Sequence, residues 1–359
     1  MVIRKVAALV GAAAVIVAAC GGAATEAPGG GGETGDCVVG VSWNNYQEER
    51  WAKWDEPALK AAIEAGGGTY ISNDAASSEE KQASNVENLI SQGAKVVVVL
   101  AQNGEAIKPA VAAAIADGVP VIAYDRLIED PKALYITFDN VLVGKLQAEA
   151  LLKVKDSGNF VVIKGNSADA NADFLRAGMV EAGLPAVGQS TEKLKNVGEA
   201  YTDNWDPAIA QATMEQFLTA NNNQIDIAFV ENDGMAGGVI AALAAQGLAG
   251  KVPVSGQDGD AAALNRVALG TQTVDVWKDA RLLGEAAGNA AIALCADPDL
   301  AKVKNVVEFK SPGGNTLTSI FLTPQPITKD NLNIVLDAGW ITQDVLCKDV
   351  PAGTVTGCP

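Results

Sequence analysis

Acidic, basic and amide side chains recur where apolar runs of this chain end. Asp125 and Arg126 close VPVIAYDR (119–126), and Asn232 follows DIAFVE (226–231). Asp258 comes just after KVPVSG (251–256), and Lys278 directly after TQTVDVW (271–277). Arg50 and Trp51 follow CVVGVSW (37–43). Asp169 and Asn171 lie beyond NFVVIK (159–164), with Arg176 on the helix after them, and Trp205 stands in the turn-like TDNWDP. Carboxylates accept hydrogen bonds from hydroxyls, guanidinium groups donate in a planar fork, and amides do both. Tryptophan packs on a weakly apolar C–H face and tolerates polar groups at its edge. Arg50, Arg126, Arg176 and Lys278 stand with Asp125 and Asp258, so both signs of charge are present. That mixture suits a neutral polyol better than an anion.

A single Asn or Asp after a strand is an ordinary turn or helix N-cap, and Asp139, Asp233 and Asp260 read as caps. Recurrence at nearly every strand end is what turn chemistry explains poorly. The elements that must position these residues are legible. Runs at 37–43, 69–72, 95–101, 119–124 and 134–138 read as strands and 50–65, 79–92 and 104–117 as helices, each helix ended by glycine. The strands show little alternation, as expected when both faces are covered. A second set follows, with strands at 159–164, 226–231, 251–256 and 271–277. Helices from about 170, at 234–246 and at 279–295, and strand-like pieces at 303–309 and 317–322, complete it. The expectation is α/β: two doubly wound parallel-sheet lobes joined by hinge strands, with ligand beyond the strands' C-terminal ends.

The bulk numbers exclude several classes. A formal net charge of −17 over 359 residues argues against nucleic acid or an anionic membrane surface as partner. With no histidine, neither a Ser-His-Asp triad nor a His-ligated metal can be built, and no metal or cofactor is expected. Gly30, Gly32 and Gly35 satisfy G-x-G-x-x-G by chance, because no strand precedes them. Arg4 and Lys5, then the apolar run 6–19, read as a signal peptide, too short to span a bilayer comfortably. Ala18-Ala19-Cys20 resembles a lipobox, so Cys20 is the expected lipidation site and 21–36 a flexible tether. The remaining four cysteines suggest two disulfides, with three connectivities open. Cys347 and Cys358 bracket a short loop and are expected to bridge, leaving Cys37 with Cys295.

Several segments together carry a resemblance: ERW (49–51), AYDR (123–126), ITFDN (136–140), LTANNN (218–223), NDGMAGG (232–238), LAGKVPVSGQD (248–258) and GTQT (270–273). From Val38 to Thr328 the chain resembles the D-xylose-binding family of bacterial sugar ABC transporters, within the type I periplasmic binding-protein superfamily. The resemblance implies hydrogen bonds to sugar from Arg50, Asp125, Arg126, Asn171, Asn232, Asp258 and Lys278. It implies a ring sandwiched by Trp51 and Trp205, with Asp169 and Arg176 as further candidate contacts. It departs from the family after the first strand, where Ser42-Trp43-Asn44-Asn45 replaces an acidic loop. The implied lobes are 37–138 with 279–306, and 139–278 with 307–328, followed by a tail at 329–359 whose Trp340 is expected to be irrelevant to affinity. Cys37 and Cys295 then both fall on the first lobe, far from the cleft, which suits their pairing.

The expectation is a monomeric, lipid-anchored, extracytoplasmic receptor that hands a monosaccharide, foremost D-xylose, to an ABC permease with its ATPase. The alternatives are a hexose (glucose) binder and a sensor of the same fold feeding a chemoreceptor or histidine kinase. A carbohydrate enzyme with Asp125 and Asp258 as acid and base is the rival from another class.

Overall fold

The structure, a computed structural model, describes residues 37–358. The leader, Cys20 and the tether lie outside the described residues. The first α/β set comprises β1 (Val38–Trp43), α1 (Glu56–Ala65), β2 (Thr69–Asp74), α2 (Glu79–Ser91), β3 (Val96–Val99), α3 (Lys108–Ala116), β4 (Val121–Tyr124) and β5 (Leu134–Phe138). A single π-type turn, Trp51–Asp55, precedes α1. The second set comprises α4 (Asn140–Val154), β6 (Gly158–Lys164), α5 (Ala170–Glu181), β7 (Leu194–Tyr201), α6 (Pro207–Ala220), β8 (Ile227–Val230), α7 (Asp233–Ala245), β9 (Ser255–Gln257), α8 (Ala261–Leu269) and β10 (Val274–Trp277). Then come α9 (Ala280–Ala296), β11 (Val307–Lys310), β12 (Thr316–Leu322), β13 (Gln325–Ile327), α10 (Asn333–Asp337) and α11 (Gln343–Leu346).

The first sheet has the order β11-β12-β5-β4-β3-β1-β2, parallel except for β11. All four valines of β3 are buried, as a run of β-branched residues covered on both faces should be. α1 and α9 cover one face through Leu59, Ile63, Leu283 and Ala287, and α2 and α3 the other through Val86, Leu89 and Val111. In the second lobe β7-β6-β8 continues through an Ala228–Val254 bridge into β9-β10-β13. There α4 and α5 cover one face and α6 and α7 the other. The expected helix at 50–65 is helical from Glu49, with 51–55 π-type before α1, whereas the one expected at 104–117 begins later, at Lys108, after ordinary turns.

The chain crosses between the sheets at Phe138–Asn140, Trp277–Ala280 and Leu322–Gln325. Asp139 and Asp279 cap the helices entered at the first two crossings, and Asp139 N–H also donates to Leu322 O at 2.9 Å. The expected boundary needs correction here: 307–322 belongs to the first sheet, not the second. β11 and β12 form a hairpin around SPGG, and β12 lies parallel to β5 in the register Ser319–Tyr135. Only β13 crosses to pair with β10. A hairpin must complete both strands in one sheet before the chain can leave it.

Both expected disulfides are present. Cys37–Cys295 ties the start of β1 to the end of α9, and Cys347–Cys358 closes the tail. Among the described residues no helix is long and apolar enough to cross a membrane.

Candidate functional site

Asp125 follows β4 and Asp258 follows β9, and both adopt left-handed backbone, at φ +61° and +103°. Each also donates its N–H to the neighbouring strand, Asp125 to Ile136 O and Asp258 to Val276 O. Non-glycine residues in this region carry strain that surrounding structure must hold in place, and such strain gathers at functional sites. Here it turns two carboxylates, one from each sheet, toward the same guanidinium. Arg50 Nη1 lies 3.2 Å from Asp125 Oδ2 and 3.3 Å from Asp258 Oδ1. Behind it, Asp55 takes the fork side-on, with Nε and Nη2 at 2.9 and 2.8 Å, and Tyr124 donates its hydroxyl to Asp55. Burial opposes charge on Arg50, yet Asp55, Asp125 and Asp258 together hold its pKa above the ordinary value. Burial pushes Asp55 up to about 6 against the pull of Arg50.

The second cation, Arg126, faces away from its neighbour Asp125. Its Nε pairs with Asp169 Oδ2 at 3.0 Å across the lobes, and Nη2 with Glu48 Oε1 at 3.2 Å. Burial raises the pKa of both Glu48 and Asp169, and the charge of Arg126 works against it. Asn171 donates to Asp125 O at 3.2 Å and accepts from Asn140 at 2.9 Å. Lys278 Nζ lies 3.6 Å from Asp258 Oδ1. Asn232 caps α7 through its side-chain oxygen, and Asp169 caps α5, so cap and site roles coincide in these residues.

Arg50, Asp125, Arg126, Asp169, Asn171, Asn232, Asp258 and Lys278, with Glu48, Gln257, Trp51 and Trp205, line a space between the lobes. Trp51 lies under the Arg50 guanidinium, 4.3 Å from ring centre to Cζ, and donates to Glu48 at 2.7 Å. Trp205, buried at φ +57°, packs on Gly165, where a Cβ would fall 2.1 Å from the indole. Asp125 Oδ2 has the Arg50 ion pair, while Gln257 Oε1 and Trp205 Nε1 are buried without a hydrogen-bond partner. Such atoms are costly unless a polar ligand meets them.

The structure thus brings together Arg50, Trp51, Asp125, Arg126, Asp169, Asn171, Trp205, Asn232, Asp258 and Lys278. Arg176 is not among them. It is spent within the second lobe on Glu199, at 2.8 Å, and on Pro185 O. Its helix begins at the cleft, but one turn and more along α5 it points to β7 instead. Asp233 and Asp260, read as caps, differ as well: Asp233 accepts from Gly259 N and Asp260 N, and Asp260 makes no side-chain cap. Asn103 is a half-buried turn residue, whereas Gln102 reaches Asn204 across the cleft at 2.7 Å. Sequence reasoning missed Glu48, although it stands three residues before Trp51 in the same charged stretch.

Residues 39–298 match the profile described as "Periplasmic binding protein domain". This chain belongs to the periplasmic binding protein family. It is 39% identical over 295 residues to the D-xylose-binding periplasmic protein of Escherichia coli K12, covering 82% of this chain and 87% of that one. It is 30% identical to the multiple sugar-binding periplasmic receptor ChvE of Rhizobium radiobacter, covering 86% and 92%. A carbohydrate transporter solute binding protein of Chloroflexus aurantiacus, solved with D-glucose, superposes at a TM-score of 0.76 with 28% identity, over 87% of this chain and 98% of that one. The fold of this binding protein is the type I arrangement of two α/β lobes, and its family consists of solute receptors rather than enzymes.

Proposed function

We propose that this protein is the sugar receptor of an ABC importer, closing its two lobes around one monosaccharide, foremost D-xylose. The observation that carries the reading is the meeting of Asp125 and Asp258, from separate sheets, at one buried Arg50. Neither lobe alone holds enough donors and acceptors for a ring of hydroxyls, so ligand favours the closed arrangement by contacts that exist only there. Trp51 and Trp205 would flank the ring's C–H faces. Arg50, Arg126 and Lys278 against Glu48, Asp125, Asp169 and Asp258 leave no excess positive charge for an anion, which supports a neutral ligand. The identity to D-xylose-binding relatives favours the pentose, and the glucose-bound neighbour keeps a hexose as second reading. Anchoring through a lipidated Cys20, removal of 1–19, monomeric action and delivery to a permease belong to the same proposal. The receptor relative makes sensing the alternative outlet.

Calorimetric titration with xylose, glucose, arabinose, ribose and galactose tests the ligand. Heat with xylose at the lowest concentration supports the assignment. Silence with xylose beside tight binding of a hexose replaces it, and intact sugar after long incubation with xylosides excludes hydrolysis.

A further inference from the structure

Trp340 is expected from the sequence to be irrelevant to affinity, yet it contacts the residue next to Asp258 in the cleft. Its indole Nε1 donates to Gly259 O at 2.6 Å, and Gly259 directly follows Asp258. The N–H of the same glycine is shared by Asp233 Oδ2 and Asp275 Oδ1, each at 3.1 Å. Gly259 adopts φ +85°, and a Cβ there would fall 2.4 Å from Trp277 Cδ1 and 3.0 Å from Trp340 Nε1. The Asp258 loop is therefore held from beneath by two carboxyl groups and from above by two indoles. The ring of Trp340 also stacks on Trp54 of the first lobe, with centroids 4.4 Å apart and planes 22° from parallel. Trp54 belongs to the turn Trp51–Asp55, which carries Trp51 and Asp55 and follows Arg50. Arg281 lies over both rings, 5.6 and 5.3 Å from their centres, and donates to Ala338 O. One tail side chain thus touches the segment bearing Arg50 and the loop bearing Asp258, outside the sugar space itself.

We propose that Trp340 is a positioning residue for ligand. With Trp54 it forms a latch across the lobes that holds Asp258 against Arg50 and slows release of the bound molecule. The tail is fixed for this work by the Cys347–Cys358 bridge and by Asn265, whose amide donates to Leu346 O and Lys348 O. The stacked indoles come from opposite lobes, so in this proposal their attraction adds to the arrangement in which the lobes are together. The inference rests on the receptor reading for its effect on ligand, but not for its effect on the loop.

Two variants separate the parts of the latch: Trp340→Phe keeps an aromatic ring and loses the bond to Gly259, and Trp54→Ala loses the stack and keeps the bond. Release of D-xylose, or of D-glucose if only that binds the wild type, is followed by stopped-flow fluorescence. Amide exchange at 258–260 is measured without sugar. Each variant is expected to release sugar about tenfold faster with little change in association rate. Trp340→Phe is expected to speed exchange at Gly259 and Asp260 about fivefold or more while the amides of β1 and β3 stay protected. Release within about twofold of wild type in both variants overturns the latch, as does exchange that is unchanged at Gly259 or raised throughout the molecule. Should the wild type bind neither sugar, the receptor reading fails separately, and the exchange measurement alone decides on Trp340.

Discussion

Asp125 and Asp258 show how little a residue type says without its backbone. Both are acids after strands, as are Asp139 and Asp233, yet only the first pair combines left-handed backbone with a place in the cleft. Trp205 reaches the same space because Asn204 and Trp205 are both left-handed and Gly165 leaves room behind the indole. Trp205→Ala is therefore expected to weaken sugar binding by more than about tenfold in calorimetry. Gly165→Ala should produce a loss of similar size, because its methyl group would displace the indole into the ligand space while leaving the fold intact by circular dichroism. Arg176→Met is the contrasting case. It leaves Glu199 without its buried partner and should lower the melting temperature, with sugar affinity of the folded protein staying within about threefold of wild type.

At the scale of elements, α4 and α5 pack at backbone contact and place Asn140 against Asn171. Two glycines permit that approach. A Cβ on Gly144 would fall 1.8 Å from Leu175 O, and one on Gly178 would fall 1.9 Å from Val141 O. Neither position can take a methyl group unless the helices separate. Gly178→Ala should cost about 1–3 kcal/mol in urea unfolding and also weaken sugar binding, since Asn171 moves with α5. The helices of the first lobe and the central strands of both follow from apolar runs and terminal glycines, but α4 (Asn140–Val154), α8 (Ala261–Leu269) and β7 have no counterpart in the sequence reading. LKNVGEAY is polar because β7 is an edge strand, largely uncovered, so no apolar run marks it.

For the molecule as a whole, the bridge Cys37–Cys295 joins residues 258 positions apart in the chain. Replacing both cysteines by serine should lower stability by about 2–5 kcal/mol, read from denaturant unfolding, without changing ligand preference. Stability should also depend on pH through the acids beneath the Asp258 loop. Burial, with Asp260 and Asp258 nearby, pushes Asp275 from 3.8 up to about 8. Asp233 beside it is raised by burial and by Asp275, and Arg266 opposes that rise. An acid that holds its proton more tightly when folded stabilises fully below its unfolded pKa and loses that contribution as pH rises through its folded pKa. Melting temperature should therefore fall between about pH 4 and about pH 8 from this source. Asp275→Asn should flatten that part of the profile.

The amino-acid sequence by itself determined the winding of both lobes, the pairing of the cysteines and ten of the residues around the cleft. Strand ends, glycine stops and short polar motifs are local signals, and a parallel sheet places all its strand ends at one edge. What only the tertiary structure decided depends on partners far away in the chain. Glu48 joins the site because Arg126 turns to it, and Arg176 leaves because Glu199 claims it. The hairpin at 307–322 falls to the first sheet because β5 offers a free edge, and Trp340 matters because Trp54 and Gly259 meet it from opposite lobes. Charge and aromatic character are written in the chain, but whether a buried group faces a ligand or another side chain is settled only by what the fold sets against it.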